Sequence, residues 1–160
     1  MVWFEKVQFA FMFIRILPAC ALLLLLPGPA WSGGTPYYDW QAKDLAIAKP
    51  LGGLTGNAQR GRAVVIDRDR GNCLACHRLP IPDEPMQGTV GPPLVGVGAR
   101  LTEAQLRLRV VDEQMVNPAT IMPRFYARPG TLNRPLPGYN TTILTAQEIE
   151  DVVAYLKTLR

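Results

Sequence analysis

Three segments of the chain repeat apolar residues at helical spacing, and they predict three helices. The first spans residues 58–66 behind Asn57, a residue type that caps helix N-termini well. The second begins at the capping box Thr102–Gln105 and stops before Asn117-Pro118. The third begins at the capping box Thr145–Glu148 and continues to the C-terminus. Because no segment alternates apolar and polar residues, the pattern predicts an all-α domain.

Stretches rich in proline and glycine separate these helices. Residues 33–56 predict an irregular N-terminal arm with a short helical piece at 41–48, and residues 57–160 predict the domain itself. Within the domain, residues 78–100 and 118–144 predict two long loops. Loops of this length in a compact domain need something inside to pack against, which points to a bound group.

The first 32 residues match a secretory signal peptide. Basic residues precede an apolar run at 16–26, and Ala30-Trp31-Ser32 places small residues at the −3 and −1 positions of a cut. The apolar run is shorter than the roughly 20 residues that a membrane span needs. We therefore predict export to the periplasm with no stable membrane span, and a retained membrane anchor is the alternative.

The charge balance narrows the class of partners. The chain has 17 basic and 13 acidic residues, of which two basic and one acidic lie in the predicted signal peptide, so the remainder carries +3. This excludes a strongly basic protein that binds nucleic acid.

The segment Cys73-Leu74-Ala75-Cys76-His77 has the pattern of c-type haem attachment. Each thiol can add across one vinyl group of a porphyrin, which places His77 as the proximal iron ligand. A redox disulfide would follow a strand, and a zinc site would need two more ligands, but the chain beyond the signal peptide has no other Cys or His. A structural disulfide leaves His77 unexplained. We therefore predict one covalent haem c.

Because His77 is the only histidine, the second axial ligand has three methionine candidates, with a lysine as a less favoured alternative. Met86 lies nine residues beyond His77, too near to reach the opposite haem face easily, and Met115 falls on a helical apolar stripe typical of a core residue. Met122 precedes Pro123 in the second long loop, and we predict it as the ligand, with core filling as its alternative. Ligation by histidine and methionine raises the reduction potential.

The motifs together resemble class I cytochromes c. The resemblance rests on C-L-A-C-H, G-P-P-L at 91–94, the Met-Pro pair and an apolar C-terminal helix that carries Tyr155. It implies a class I fold of few helices and long loops wrapped around one covalent haem. It also implies that the Pro92 carbonyl accepts a hydrogen bond from His77, that Met122 is the distal ligand, and that Gly61 meets Tyr155 where the first and last helices cross.

Within that family, the chain is similar to SoxX-type monohaem subunits of SoxAX complexes, which act in bacterial thiosulfate oxidation. The similarity implies a heterodimer with a SoxA-type cytochrome. That complex would act as an L-cysteine S-thiosulfotransferase, joining thiosulfate oxidatively to a cysteine of a SoxYZ-type carrier protein. This subunit would pass electrons to a small soluble cytochrome c. The matching residues are 71–77, 91–94, 117–118, 122–126 and 143–156.

Cysteine counting agrees with a relay role. After haem attachment no thiol remains beyond the signal peptide, so sulfur chemistry must occur on a partner subunit. Two alternatives stay open: a free-standing periplasmic electron-shuttle cytochrome c, and a haem protein with an exchangeable sixth ligand.

Overall fold

The computed structural model describes residues 36–128 and 142–160; the predicted signal peptide and residues 129–141 lie outside this range. The helices are α1 (Ala58–Ile66), α2 (Val97–Arg100), α3 (Glu103–Asp112) and α4 (Ala146–Thr158). Single 3₁₀ turns lie at Leu51–Gly53, Cys73–Ala75 and Glu113–Met115. These two ranges hold no strand, only an isolated bridge between Lys43 and Ala46. The predicted all-α architecture is confirmed.

Both predicted capping boxes start their helices. In α3 the Thr102 hydroxyl accepts from the Gln105 amide at 3.3 Å, and the Gln105 side chain accepts from the Thr102 amide at 2.9 Å. Thr145 and Glu148 make the same exchange at the start of α4. These reciprocal bonds satisfy amides that have no partner within the helix, which is why the local sequence alone locates both starts.

Helices α1 and α4 cross at Gly61. A Cβ atom on Gly61 would stand 1.9 Å from the Asp151 carbonyl oxygen and 2.9 Å from the Tyr155 Cβ, so any side chain there would push the helices apart. The approach of Gly61 to Tyr155 that the family resemblance implies is therefore present. Behind the crossing, Ile149, Val152 and other buried side chains of α4 form the centre of the core.

Asp151 is a buried carboxylate at this crossing. Arg60 of α1 donates to it from Nε and Nη2 at 2.7 and 2.8 Å, the Asn57 amide donates at 2.7 Å, and Gln147 donates at 3.0 Å. Burial raises the pKa of Asp151, but these hydrogen bonds outweigh it and hold the pKa below its ordinary value.

We expect Asp151→Asn to make the free energy of unfolding fall less steeply as pH decreases in the acid range. Because the native pKa of Asp151 is lowered, its contribution is fully present above the unfolded pKa of about 3.9 and is lost as pH falls through the native pKa. Urea unfolding of the holoprotein across this acid range should show a shallower fall in the free energy of unfolding for the variant than for the unsubstituted protein. Equal acid slopes would contradict the assignment.

The N-terminal arm corrects one prediction. Residues 41–48 form no helix; they form a tight turn in which Lys43 and Ala46 exchange backbone hydrogen bonds of 2.9 and 3.1 Å. The arm also hydrogen-bonds to the domain, as in the bond from the Ile47 amide to the Ala104 carbonyl at 2.9 Å. Tyr37 stacks on Tyr126 with ring centroids 4.9 Å apart. The arm is thus part of the packed domain surface.

A buried ion pair joins this arm to two helices. The Arg107 guanidinium of α3 donates to both carboxylate oxygens of Glu150 of α4 at 2.8 to 3.1 Å, and the two side chains are 3% and 4% exposed. Arg107 also donates to the Ile47 carbonyl, and Glu150 accepts from the Leu51 amide, each at 2.8 Å. The pair therefore fixes both ends of the arm segment 47–51.

The predicted continuous loop over 78–100 is wrong at its end, because α2 occupies its last four residues. Gly96 adopts φ 69°, a left-handed conformation that turns the chain into α2. The Gly98 amide then donates to the Leu159 carbonyl at 2.8 Å, and the Lys157 ammonium donates to the Gly98 carbonyl at 2.8 Å. Contacts with α4, distant in sequence, stabilise this single turn. Among the described residues, none of the helices has the length and apolar character of a bilayer-crossing segment.

Candidate haem-binding site

The segment between α1 and the first long loop brings two thiols and an imidazole together. Asn72 takes a left-handed conformation that leads into the 3₁₀ turn Cys73–Ala75. The Cys76 and His77 amides then both donate to the Cys73 carbonyl, at 3.2 and 2.9 Å. Cys73 and Cys76 are free thiols, and burial raises the pKa of Cys73 to about 11.

A loop lies alongside this segment and orients the imidazole. Gly88 donates to the Leu74 carbonyl at 2.7 Å, and Gly91 donates to the Cys76 carbonyl at 2.8 Å. The next residue, Pro92, places its carbonyl oxygen 2.8 Å from His77 Nδ1. With the proton on Nδ1 donated to Pro92, the Nε2 lone pair is left for a metal.

Gly91 leaves the space that the His77 ring occupies. A Cβ atom on Gly91 would lie 2.3 Å from His77 Cε1 and 2.6 Å from Nδ1. We expect Gly91→Ala to displace the imidazole from Pro92, lower the free energy of unfolding by about 1–3 kcal/mol and raise the reduction potential, because a weaker hydrogen bond makes the ligand less basic. Redox titration of the holoprotein followed by absorbance measures the potential.

Gly88→Ala is the control for this prediction. Its Cβ would meet the Ala75 carbonyl oxygen at 2.0 Å, so it strains the same loop without striking the ring. If both variants shift the potential equally, displacement of the loop explains the result and the direct role of Gly91 is wrong.

The three methionines beyond the predicted signal peptide all lie among the described residues and differ sharply in burial. Met86 is 80% exposed and Met115 is 48% exposed, whereas Met122 is partly buried and packs against the hydrophobic core. The interpretation of Met115 as a core residue is therefore wrong: Asp112, at φ −159° and ψ 86°, ends α3 and rotates the following turn away from the core stripe. Met122 is the methionine that the fold holds in an apolar environment.

Two acidic residues near the site were missed by the sequence analysis. Asp112 is buried, accepts a hydrogen bond from Arg124 Nε and forms an ion pair with that guanidinium, while Glu113 Oε1 accepts from Arg109 at 2.7 Å. The other oxygen of Glu113 is buried without a protein partner. Burial raises the pKa of Glu113, while the charge of Arg109 and its hydrogen bond to Glu113 oppose that rise. The sequence did contain a signal for these two residues: a pair of adjacent acidic side chains follows the apolar pair Val110-Val111 directly.

These donors fit a covalently attached haem. Two free thiols lie at the spacing that thioether attachment needs, and the adjacent imidazole has one nitrogen hydrogen-bonded and the other available. Met122, the predicted distal ligand, offers a partly buried thioether that packs against the hydrophobic core. Cavities of about 720 and 610 Å³ lie beside the N-terminal arm; Cys73, Cys76 and His77 line neither, but Asp112, Met115 and Arg124 line the second.

Comparisons with known proteins agree with this chemistry. The family model for cytochrome c matches residues 58–160. Among solved structures, the chain is similar to the crystal structure of SoxXA from P. pantotrophus, with 38% sequence identity and a TM-score of 0.68, covering 75% of this chain and 93% of the matched chain. No curated protein matches the chain. The chain therefore belongs to the cytochrome c family, as a class I cytochrome that resembles SoxX and binds one covalent haem c.

Proposed function

We propose that this cytochrome is the monohaem subunit of a SoxAX-like complex. It takes electrons from the haem of a SoxA-type partner and passes them to a small soluble cytochrome c, while the complex joins thiosulfate oxidatively to a cysteine of a SoxYZ-type carrier. The observation that carries the proposal is the 38% identity to a chain of SoxXA over 93% of that chain. A match of that extent includes the loops, where partner-specific surfaces lie.

Each site residue has one role in this proposal. Cys73 and Cys76 hold the haem through thioether bonds, His77 is the proximal ligand, and the Pro92 carbonyl fixes the His77 ring through the 2.8 Å hydrogen bond. Met122 supplies the distal thioether. When bound, haem c provides one-electron chemistry at a potential that methionine ligation raises. With His77 and Met122 as its two protein ligands, a bound haem would supply electron transfer, and the chain would leave it no position for a substrate.

The same residues assign the sulfur chemistry to the partner. Cys73 and Cys76 are the only cysteines beyond the predicted signal peptide, and both are consumed by haem attachment. The chain then has no thiol to carry a persulfide or to ligate iron, so the catalytic site belongs on the SoxA-type subunit. The signal-peptide pattern of residues 1–32 supports a periplasmic location.

Reconstitution tests the proposed function. The exported holoprotein is mixed with a SoxA-type cytochrome, and the complex is isolated by size exclusion before thiosulfate and a SoxYZ-type carrier are added. We expect a stable heterodimer and haem reduction that requires both thiosulfate and the carrier. A carrier whose acceptor cysteine is replaced by serine is the control and should abolish reduction.

A monomer that SoxA-type partners neither bind nor reduce would contradict the proposal. The free-standing shuttle would then be the better interpretation, and the haem assignment would be unaffected.

A further inference from the structure

The loop that carries Met122 is fixed to α3 by a buried ion pair. Arg124, two residues beyond Met122, donates from Nε to Asp112 Oδ2 at 2.8 Å, and its Nη2 lies 2.8 Å from the same oxygen in the ion pair. The Asp112 carboxylate is 4% exposed and Arg124 is 26% exposed, so the bonds are largely shielded from water. The second oxygen of Asp112 accepts from the Gln114 amide at 3.2 Å, which orients the carboxylate.

Backbone hydrogen bonds fix the loop on either side of Met122. Downstream, the Tyr126 amide donates to the Val111 carbonyl at 3.2 Å, next to the ion pair. Upstream, the Thr120 amide donates to the Asn117 carbonyl at 3.0 Å, and the Thr120 hydroxyl accepts from the Met122 amide at 3.1 Å. Met122 therefore lies in a short segment held at both ends, and Arg124 is its nearest charged anchor.

We infer that the Asp112–Arg124 pair is a positioning device that keeps the Met122 thioether at the haem iron. The inference rests on the proposed ligation by Met122. A thioether carries no charge, and its bond to iron competes with the conformational freedom that the loop gains on release. Removing either charged partner frees the loop at the residue that follows Met122-Pro123. The pair therefore shifts the equilibrium between ligated and released methionine toward ligation.

Two variants test the positioning role. In Arg124→Gln and Asp112→Asn, we expect the methionine-to-iron charge-transfer band at the red end of the oxidised spectrum to weaken. The reduced proteins should bind carbon monoxide at least about tenfold faster than the unsubstituted protein, which corresponds to about 1.4 kcal/mol in the release equilibrium. Arg124→Lys should lie between, because lysine keeps the charge but lacks the guanidinium fork.

Asp151→Asn is the matched control. It also removes a buried carboxylate that pairs with an arginine, but on α4 at the α1 crossing and not on the Met122 loop. It should lower stability while leaving both the charge-transfer band and carbon monoxide binding unchanged, so a general loss of stability is distinguished from release of Met122.

The outcomes separate this inference from the proposed ligation. If Met122→Ala loses the band while Arg124→Gln and Asp112→Asn keep it and bind carbon monoxide slowly, the positioning role is overturned alone. If Met122→Ala keeps the band, the proposed ligation by Met122 is wrong, and the positioning role that rests on it is wrong with it. If Asp112→Asn does not fold, the more exposed Arg124 decides the question through its two variants.

Discussion

We expect the Met122→Ala cytochrome to lose its charge-transfer band, to bind carbon monoxide promptly when reduced, and to have a lower reduction potential. We base this expectation on the partial burial of Met122, which packs against the core, whereas Met86 and Met115 are 80% and 48% exposed. Loss of the thioether opens the sixth coordination position, which water or carbon monoxide then fills. Axial ligands set haem potentials over a range of roughly 0.8 V, so we expect a change that is a sizeable part of that range.

Met86→Ala and Met115→Ala are matched controls for this experiment. Each removes one exposed thioether, and we expect the spectrum, the potential and the slow carbon monoxide reaction of the unsubstituted holoprotein in both. If Met86→Ala or Met115→Ala opened the iron while Met122→Ala did not, the distal ligand would be reassigned to that residue.

We expect Glu150→Gln to lower the free energy of unfolding by about 3–5 kcal/mol. The substitution keeps the side-chain shape but leaves the Arg107 charge, 3% exposed, without its counter-ion. Breaking a buried ion pair from one side has costs of this size because the remaining charge is uncompensated. Glu150 also accepts from the Leu51 amide and Arg107 donates to the Ile47 carbonyl, so the arm should detach more readily.

Urea unfolding of the holoprotein measures the loss, and hydrogen exchange of residues 47–51 measures detachment of the arm. Asp83→Asn is the control: its pair with Arg62 is 3.9 Å long and Asp83 is 86% exposed, so we expect a change of no more than about 0.5 kcal/mol. A loss below about 1 kcal/mol in Glu150→Gln would show that the pair contributes far less than its burial indicates.

The helices were predictable where their determinants are local. Thr102 with Gln105 and Thr145 with Glu148 are capping boxes within four residues, and the structure has both. The arm and α2 were not predictable, since their hydrogen bonds go to distant residues: Ile47 to Ala104, and Gly98 to Leu159. Propensity and spacing contain no information about such partners, and tertiary contacts decided both segments.

The residues of the site also divide into those that the sequence predicts and those that it does not. Cys73, Cys76 and His77 were predictable because covalent attachment and proximal ligation need residues that are contiguous in sequence. Asp112 and Arg124, 12 residues apart, meet only because the loop folds back onto the end of α3. Met115 shows the converse error: its helical spacing is correct, but α3 ends at Asp112 and the stripe ends with it.

Proton NMR of the reduced holoprotein, with its methionine methyl groups labelled, tests the central claim most directly. The chain beyond the signal peptide has three methionines. The methyl group of a methionine whose sulfur binds the iron would lie over the haem ring, and the ring current would move its resonance strongly upfield. We expect one such shifted methyl resonance, absent from Met122→Ala and present in Met86→Ala. A reduced spectrum with no shifted methyl resonance, or one that survives Met122→Ala, would contradict ligation of the iron by Met122.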